Sequence, residues 1–247
     1  MSDELDAAFE SPAAKARHVR RLFATIADRY DLITRVLSCG LDAGWKRRLV
    51  RLADVRPGER ALDLATGTGD VARLAARAGA RVAGLDVTHR MLQLAARRAE
   101  AGGARGPAWV QGDMAALPLA SRSVTLVTTG YGLRNVPDLD QALAEMVRVL
   151  APGGRLLSLD FNRPEAPLVR VAYLGYLTAV GGLLGWLLHG DPDTYRYIPA
   201  SIRRYPGAAG VAARLRQYGF AEVRIVPVLF GLMTIHVARL GEEDAGR

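Results

Sequence analysis

The stretch Arg60-Ala-Leu-Asp-Leu-Ala-Thr-Gly-Thr-Gly-Asp70 sets two carboxylates, Asp63 and Asp70, around a pair of glycines, Gly67 and Gly69. Glycines at this spacing let a backbone turn tightly and approach a ligand closely. Gly67-Thr-Gly69-Asp-Val-Ala72 satisfies the loose dinucleotide fingerprint, and Asp86 closes the next apolar run, Val82-Ala-Gly-Leu-Asp86. The carboxylates discriminate between ligands, because crowding this turn with negative charge repels a pyrophosphate. S-adenosylmethionine carries no phosphate. It offers an ammonium and a sulfonium for acidic groups to face, and a ribose diol from which Asp86 can accept. The pattern therefore favours this methyl donor, with a nicotinamide cofactor and a merely structural glycine turn as the other readings.

The elements that must hold these residues are legible around them. Ala61, Leu62, Leu64 and Ala65 read as a buried parallel strand, and Val71, Leu74, Ala75 and Ala78 fall at helical spacing. The glycine turn thus sits where a strand hands over to a helix N-terminus, the ligand-facing corner of an open α/β sheet. The alternation continues with strands over 82–86, 108–111, 123–129 and 155–161 and helices over 90–100 and 138–149. Val211, Leu215 and Tyr218 mark a late helix, followed by strands over 222–229 and 233–240. A mostly parallel α/β sheet ending in an antiparallel hairpin is expected, within a single domain over 17–247.

Two segments lie outside this alternation. Residues up to Ala16 read as a mobile leader, and helices over 17–30, 32–37 and 42–53 form a cap spanning 17–54. In the third of these, Lys46, Arg47, Arg48 and Arg51 crowd the stripe of Trp45, Leu49 and Leu52, as a solvated face or as a contact with anionic lipid head groups. An insertion over 163–205 contains the almost wholly apolar run Leu168 to Leu188, long enough for a membrane span. Spanning would separate the last two strands from the five they must pair with. That leaves a lid on the sheet's rim, or an interfacial lid admitting a lipid-soluble substrate.

Composition narrows the classes. The chain has 247 residues, half of them hydrophobic, enough for one substantial core. A single Cys39 excludes intramolecular disulfides and cysteine-held clusters, and the four histidines, His18, His89, His189 and His236, lack metal-ligand spacing, so no metal is expected. The net charge of +8 comes almost wholly from arginine, Lys15 and Lys46 being the lysines, and no aromatic-studded basic strip invites nucleic acid. The acidic N-terminus is unlike a secretion signal, so a cytoplasmic location is expected, with peripheral membrane contact left open.

Several motifs are more specific than the glycine turn. Phe23-Ala-Thr-Ile-Ala-Asp-Arg-Tyr30-Asp31, Asp63-Leu-Ala-Thr-Gly-Thr-Gly-Asp70, Gly132-Leu-Arg-Asn-Val-Pro-Asp138, Arg148-Val-Leu-Ala-Pro-Gly-Gly154, Asp193-Thr-Tyr-Arg-Tyr-Ile198 and Ser201-Ile202-Arg203, with His236 in the last strand, together resemble the C-methyltransferases of menaquinone and ubiquinone biosynthesis. Thr34 stands where that family usually has Asn, and Asp42 where it usually has His. The resemblance implies a class I, Rossmann-like seven-stranded methyltransferase. It would move a methyl from S-adenosylmethionine to a ring carbon of a prenylated quinol, converting demethylmenaquinol to menaquinol. The methoxy-benzoquinol precursor of ubiquinone, another small lipophilic phenol, or a donor-binding subunit without turnover are the alternatives.

By the matching positions, Asp63, Gly67, Thr68, Gly69 and Asp86 form the donor turn, with Asp113 and Met114 at the adenine. A carboxylate can accept from the adenine amine while a thioether packs on the ring. Carbon methylation needs a hydroxyl proton removed so that charge reaches the adjacent ring carbon. Arg134 is expected to support the phenolate, Asn135 to orient the hydroxyl, and His236 to act either as the base or as a packed core residue. Tyr30, Tyr195, Arg196 and Tyr197 are expected to line the quinol ring.

Overall fold

The computed structural model describes residues 3–100 and 106–242; the glycine loop expected after Glu100 falls largely outside them. Seven strands form one sheet in the order β3-β2-β1-β4-β5-β7-β6. They are β1 (Arg60–Leu64), β2 (Arg81–Asp86), β3 (Ala108–Gln111), β4 (Val124–Gly130), β5 (Leu150–Phe161), β6 (Phe220–Val228) and β7 (Met233–Leu240). The first five pair in parallel, β7 runs antiparallel to β5, and β6 antiparallel to β7. The expected class I methyltransferase topology, with its terminal hairpin, is the one observed.

Helices cover both faces. On one, α4 (Asp42–Ala53) and α5 (Asp70–Arg77) bury Leu49, Val50, Val71 and Ala72 against Ala61, Val82, Leu126 and Leu157. On the other, α7 (Leu139–Val149) and α10 (Gly207–Gln217) bury Leu143, Met146, Val211 and Leu215 against Leu62, Leu64, Val127 and Leu156. Neighbouring residues of β1, β4 and β5 thus face opposite sides of the sheet, as the period of two requires. The α6 helix (His89–Glu100) follows β2. The order reverses between β1 and β4, so the C-terminal ends of β1, β2 and β4 converge on a crevice where open α/β sheets bind ligands.

The remaining helices roof that crevice: α1 (Asp3–Ala7), α2 (Pro12–Ile26), α3 (Tyr30–Leu37), α8 (Pro167–His189) and α9 (Asp193–Arg204). The structure departs here from the expected leader. Ser11 caps α2, its hydroxyl accepting from Ala14 N at 3.1 Å, and Pro12 occupies the first turn, where its missing N–H costs nothing. Leu5 is buried with Val19, Tyr197 and Ala200. Lys15 Nζ donates to the carbonyls of Val136 at 2.6 Å and Arg134 at 3.1 Å, tying α2 to the loop after β4. Strand β5 begins earlier than expected because Pro152-Gly153-Gly154 is absorbed into the strand, with a register shift between Val124 and Leu126.

Candidate active site

Two cavities meet at the sheet's C-terminal edge. The first, about 90 Å³, is walled by the loop ends Ala65, Gly67, Asp86, Asp113, Met114 and Gly132, and closed by α2 through Val19 and Phe23. The second, about 240 Å³ and overwhelmingly apolar, lies between α2, α3, α8 and α9, with Ile33, Leu37, Tyr173, Leu177 and Tyr195 on its walls. Phe23, Tyr30, Tyr131 and Asn135 line both.

The first cavity is set by backbone. Ala65 and Tyr131, just past the C-terminal ends of adjacent strands β1 and β4, are non-glycine residues at φ +48° and +62°. Such conformations cost about 1–3 kcal/mol each and concentrate at functional sites. Gly132 is required by close approach, since a Cβ there would collide with Thr129 Oγ1 and sit 3.0 Å from the Cβ of Ala65. At the end of β2, the Asp86 carboxylate accepts from the backbone N–H of Gly67 at 2.9 Å and of Thr88 at 2.8 Å. Burial pushes its carboxyl pKa up, against those two N–H groups, which favour the ionised form.

These groups suit a nucleoside diol with an amine-bearing base better than a pyrophosphate. Asp86 retains unused acceptor capacity, and Asp113 and Met114 stand on the same wall. Among the described residues the lining cation is Arg20, already 3.2 Å from Asp113 Oδ2. A sulfonium donor of the S-adenosylmethionine type therefore fits.

Not every expected donor residue reaches this cavity. Gly67, Asp86, Asp113 and Met114 line it; Asp63, Thr68 and Gly69 do not. Asp63 is buried beneath the turn, accepting from Thr66 Oγ1 at 2.6 Å and Thr128 Oγ1 at 2.7 Å, and burial raises its pKa to about 6 against these bonds. Thr68 Oγ1 donates to Asp31 Oδ1 at 2.9 Å, joining the cap to the turn. Gly69 is small because a Cβ there would run into the Trp109 indole. Asp70, expected to face the donor's cationic end, instead pairs with Lys46 at 2.9 Å and Arg73 at 2.5 Å. Lys46 is accordingly buried and leaves the expected basic face of α4 to its arginines.

In the apolar cavity, polar groups are few. Arg134 lies on its wall, 5% exposed. The Arg134 guanidinium stacks on Phe161 at 4.9 Å, bonds Ser201 Oγ through Nη1, and stands 3.5 Å from Asp160 Oδ1. The atom facing Asp160 is Nε, which makes no hydrogen bond at that distance. Asn135 Nδ2 donates to the Tyr131 carbonyl at 2.8 Å, which leaves Oδ1 as a buried acceptor without a partner. Tyr30, Tyr195 and Tyr197 line this cavity; burial raises the Tyr30 and Tyr197 hydroxyls to about 12, and the Tyr197 hydroxyl is without a hydrogen-bond partner.

A family model described as the ubiE/COQ5 methyltransferase family matches residues 11–239. The chain belongs to that family. It is 43% identical over 218 residues to a demethylmenaquinone methyltransferase of Thermus thermophilus, covering 87% of this chain and 98% of that protein. It is 40% identical over 226 residues to the ubiquinone/menaquinone biosynthesis C-methyltransferase UbiE of Rubrivivax gelatinosus, covering 90% and 87%. Among solved structures, the magnesium protoporphyrin IX methyltransferase of Synechocystis, with bound SAH, shares the fold at TM-score 0.62 and 19% identity over 92% of this chain and 100% of that one.

Two expected residues of this family member lie elsewhere. His236 lines neither cavity: Nδ1 is 3.3 Å from Ser158 Oγ and Nε2 is 2.9 Å from the Ala208 carbonyl, so both ring nitrogens are engaged within the core. Burial lowers its pKa, opposed by the Ala208 contact, which suits a neutral packed imidazole rather than the base. Arg196 does not line the apolar cavity; it pairs with Asp193 at 3.3 Å and lies against Gly182 of α8. Sequence reasoning missed Tyr131 and marked Asp42 only as a departure from the family pattern; their side chains join across 89 positions. The available signal was Lys46, one of two lysines in an arginine-rich chain, one helical turn after Asp42.

Proposed function

We propose that this protein transfers a methyl group from S-adenosylmethionine to a ring carbon of a prenylated quinol, converting demethylmenaquinol to menaquinol. The observation that carries the reading is the wall shared by the two cavities. One cavity suits an adenosyl donor and the other an apolar ring with its tail, and they meet at Tyr30, Tyr131 and Asn135. The donor supplies an electrophilic methyl. The chain's own residues hold the adenosine through Asp86, Asp113 and Met114, roof the two cavities with α2 and α3, and place the quinol hydroxyl. Asn135 Oδ1, a buried acceptor in need of a donor, orients that hydroxyl. The buried Arg134 guanidinium, on the wall of the apolar cavity, stabilises the oxygen as it gains charge.

The cavity's surroundings support access from a membrane. The α8 helix, 23 residues long, is apolar enough to cross a membrane by length and composition. Its neighbours β5 and β7 nevertheless pair in one sheet, so both its ends lie on the same side. It leaves Val171, Tyr176, Leu183 and Trp186 exposed, and Leu32, Val36, Leu41 and Phe230 add exposed apolar surface from α3, the turn after it and the β6–β7 turn. Tyr176, Leu41 and Leu229 also wall the apolar cavity, so this surface borders its mouth. We propose a cytoplasmic protein that rests this rim on the bilayer while the prenyl tail enters.

The test is methyl transfer from tritiated donor to reduced demethylmenaquinol in detergent or vesicles, with label read in extracted menaquinol. A methoxy-benzoquinol acceptor run in parallel separates the two quinol classes. Donor binding without label in either quinol would overturn the reading in favour of an accessory subunit.

A further inference from the structure

A buried ionic cluster lies directly behind the shared wall. The Tyr131 hydroxyl donates to Asp42 Oδ1, on the first residue of α4. Asp42 Oδ2 is 2.7 Å from Lys46 Nζ, and the same ammonium is 2.9 Å from Asp70 Oδ2. Neither carboxylate nor the lysine lines a cavity, whereas Tyr131 lines both. A tyrosine hydroxyl that already donates to a carboxylate keeps its oxygen free to accept from another hydroxyl. The chain therefore places, on a residue that lines both cavities, a hydroxyl backed by an anion.

We propose that Tyr131 and Asp42 form a proton relay for the quinol hydroxyl, with Asp42 as the final acceptor. The inference rests on the quinol-methylation reading. In the forward step the quinol O–H bond breaks and its electron pair stays on the quinol oxygen. The released proton forms a new O–H bond on Tyr131 as the proton formerly there forms an O–H bond on Asp42. The products are a quinolate, a neutral tyrosine and a neutral Asp42. After the substituted ring carbon has lost its hydrogen to water as a proton, the reverse relay returns the proton from Asp42 to the oxygen, so one proton is released overall.

The surroundings suit this role. Burial and the Asp42 charge hold the Tyr131 hydroxyl well above its ordinary pKa, so it passes a proton on rather than ionising alone. Although burial opposes its charge, Lys46 stays protonated beside Tyr30, Asp42 and Asp70. The charged and titratable groups facing the relay are Lys46 on α4, Tyr30 on α3, Asp70 and Arg73 on α5, and Asp160 on β5. The positive end of α4 favours the carboxylate at its first residue.

The variants are Asp42→Asn and Tyr131→Phe in the full chain. Asp42→Asn leaves Lys46 paired with Asp70, so no buried charge is orphaned. The probe is a nitro-substituted naphthol whose ionised form absorbs in the visible, added with S-adenosylhomocysteine about two units below the probe's own pKa. The wild-type protein should bind it ionised, and both variants should bind it un-ionised with Kd within about threefold. With reduced quinol, turnover should fall about a hundredfold or more in both while KM holds. Asp42→Glu should restore part of the rate. Equal probe ionisation in folded Asp42→Asn, or an unchanged rate, would overturn the relay. Should Asp42→Asn fail to fold, Tyr131→Phe decides by the same readings. A wild-type protein that methylates no quinol overturns the functional reading instead, and the probe spectrum still decides the relay.

Discussion

The two cavities are built by opposite means. The donor cavity is shaped mostly by backbone at the ends of β1, β2 and β4, where left-handed Ala65 and Tyr131 and close-approaching Gly132 leave little freedom. The apolar cavity is shaped by side chains from helices far apart in the chain, from Leu22 to Met233. A cavity of the first kind can recognise one invariant ligand with few polar groups. One of the second kind accommodates a long apolar tail and places its specificity in a few polar islands, here Arg134, Asn135 and the tyrosines.

The comparison breaks most severely at Arg134, because the apolar cavity's island is also structural. Its guanidinium stands 3.5 Å from Asp160 Oδ1, and its backbone N–H donates to Asp160 Oδ2 at 3.0 Å. Arg134→Met leaves Asp160 buried without a cation, and should cost about 3–5 kcal/mol in denaturant unfolding. Arg134→Met combined with Asp160→Asn should recover most of that loss without recovering turnover. A single variant as stable as the wild type would show that the pair contributes nothing to the fold.

The donor site, by contrast, should lose binding while the fold survives. Asp86→Ala removes a charged acceptor expected at the ribose, which contributes roughly 1.5–3 kcal/mol, or about one to two decades of donor affinity. Binding of a naphthol to the apolar cavity should be unchanged. Calorimetric titration giving wild-type donor affinity in a folded Asp86→Ala protein would remove Asp86 from the site.

The same contrast explains what could be read from the sequence. The donor turn is local: Gly67 and Asp86 carry their meaning in spacing, and the strands over 108–111 and 233–240 fall where β3 and β7 are observed. Asp63 and Gly69 were legible as a motif, yet their types alone do not distinguish lining a ligand from supporting the turn. The apolar cavity needs long-range contacts that no local period records. Leu5 meets Tyr197, and Tyr131 meets Asp42, across distances in the chain over which neither residue's local pattern names its partner. His236 shows the limit from the other side: a suitable intrinsic pKa says nothing about which face of β7 the ring occupies.

The smallest expected effect sharpens the comparison at the apolar cavity's outer rim. Leu229 and Phe230, in the β6–β7 turn, adopt φ +48° and +53°, and Phe230 is fully exposed. A large apolar side chain in this conformation costs about 1 kcal/mol or more and gains no packing in return. A residue that weakens the fold and touches nothing within it is best explained by what lies outside, here a lipid surface beside the cavity mouth. Phe230→Gly should therefore move two measurements in opposite directions. Stability should hold or rise by up to about 1 kcal/mol, because glycine adopts this conformation freely. Affinity for anionic vesicles should fall about tenfold, the loss of most of one phenyl group's transfer from water. Donor affinity should stay as it is, since the turn is remote from the first cavity's walls. Weaker folding with vesicle binding retained would reverse the argument, making Phe230 a residue of the fold and moving the membrane contact to α8 alone.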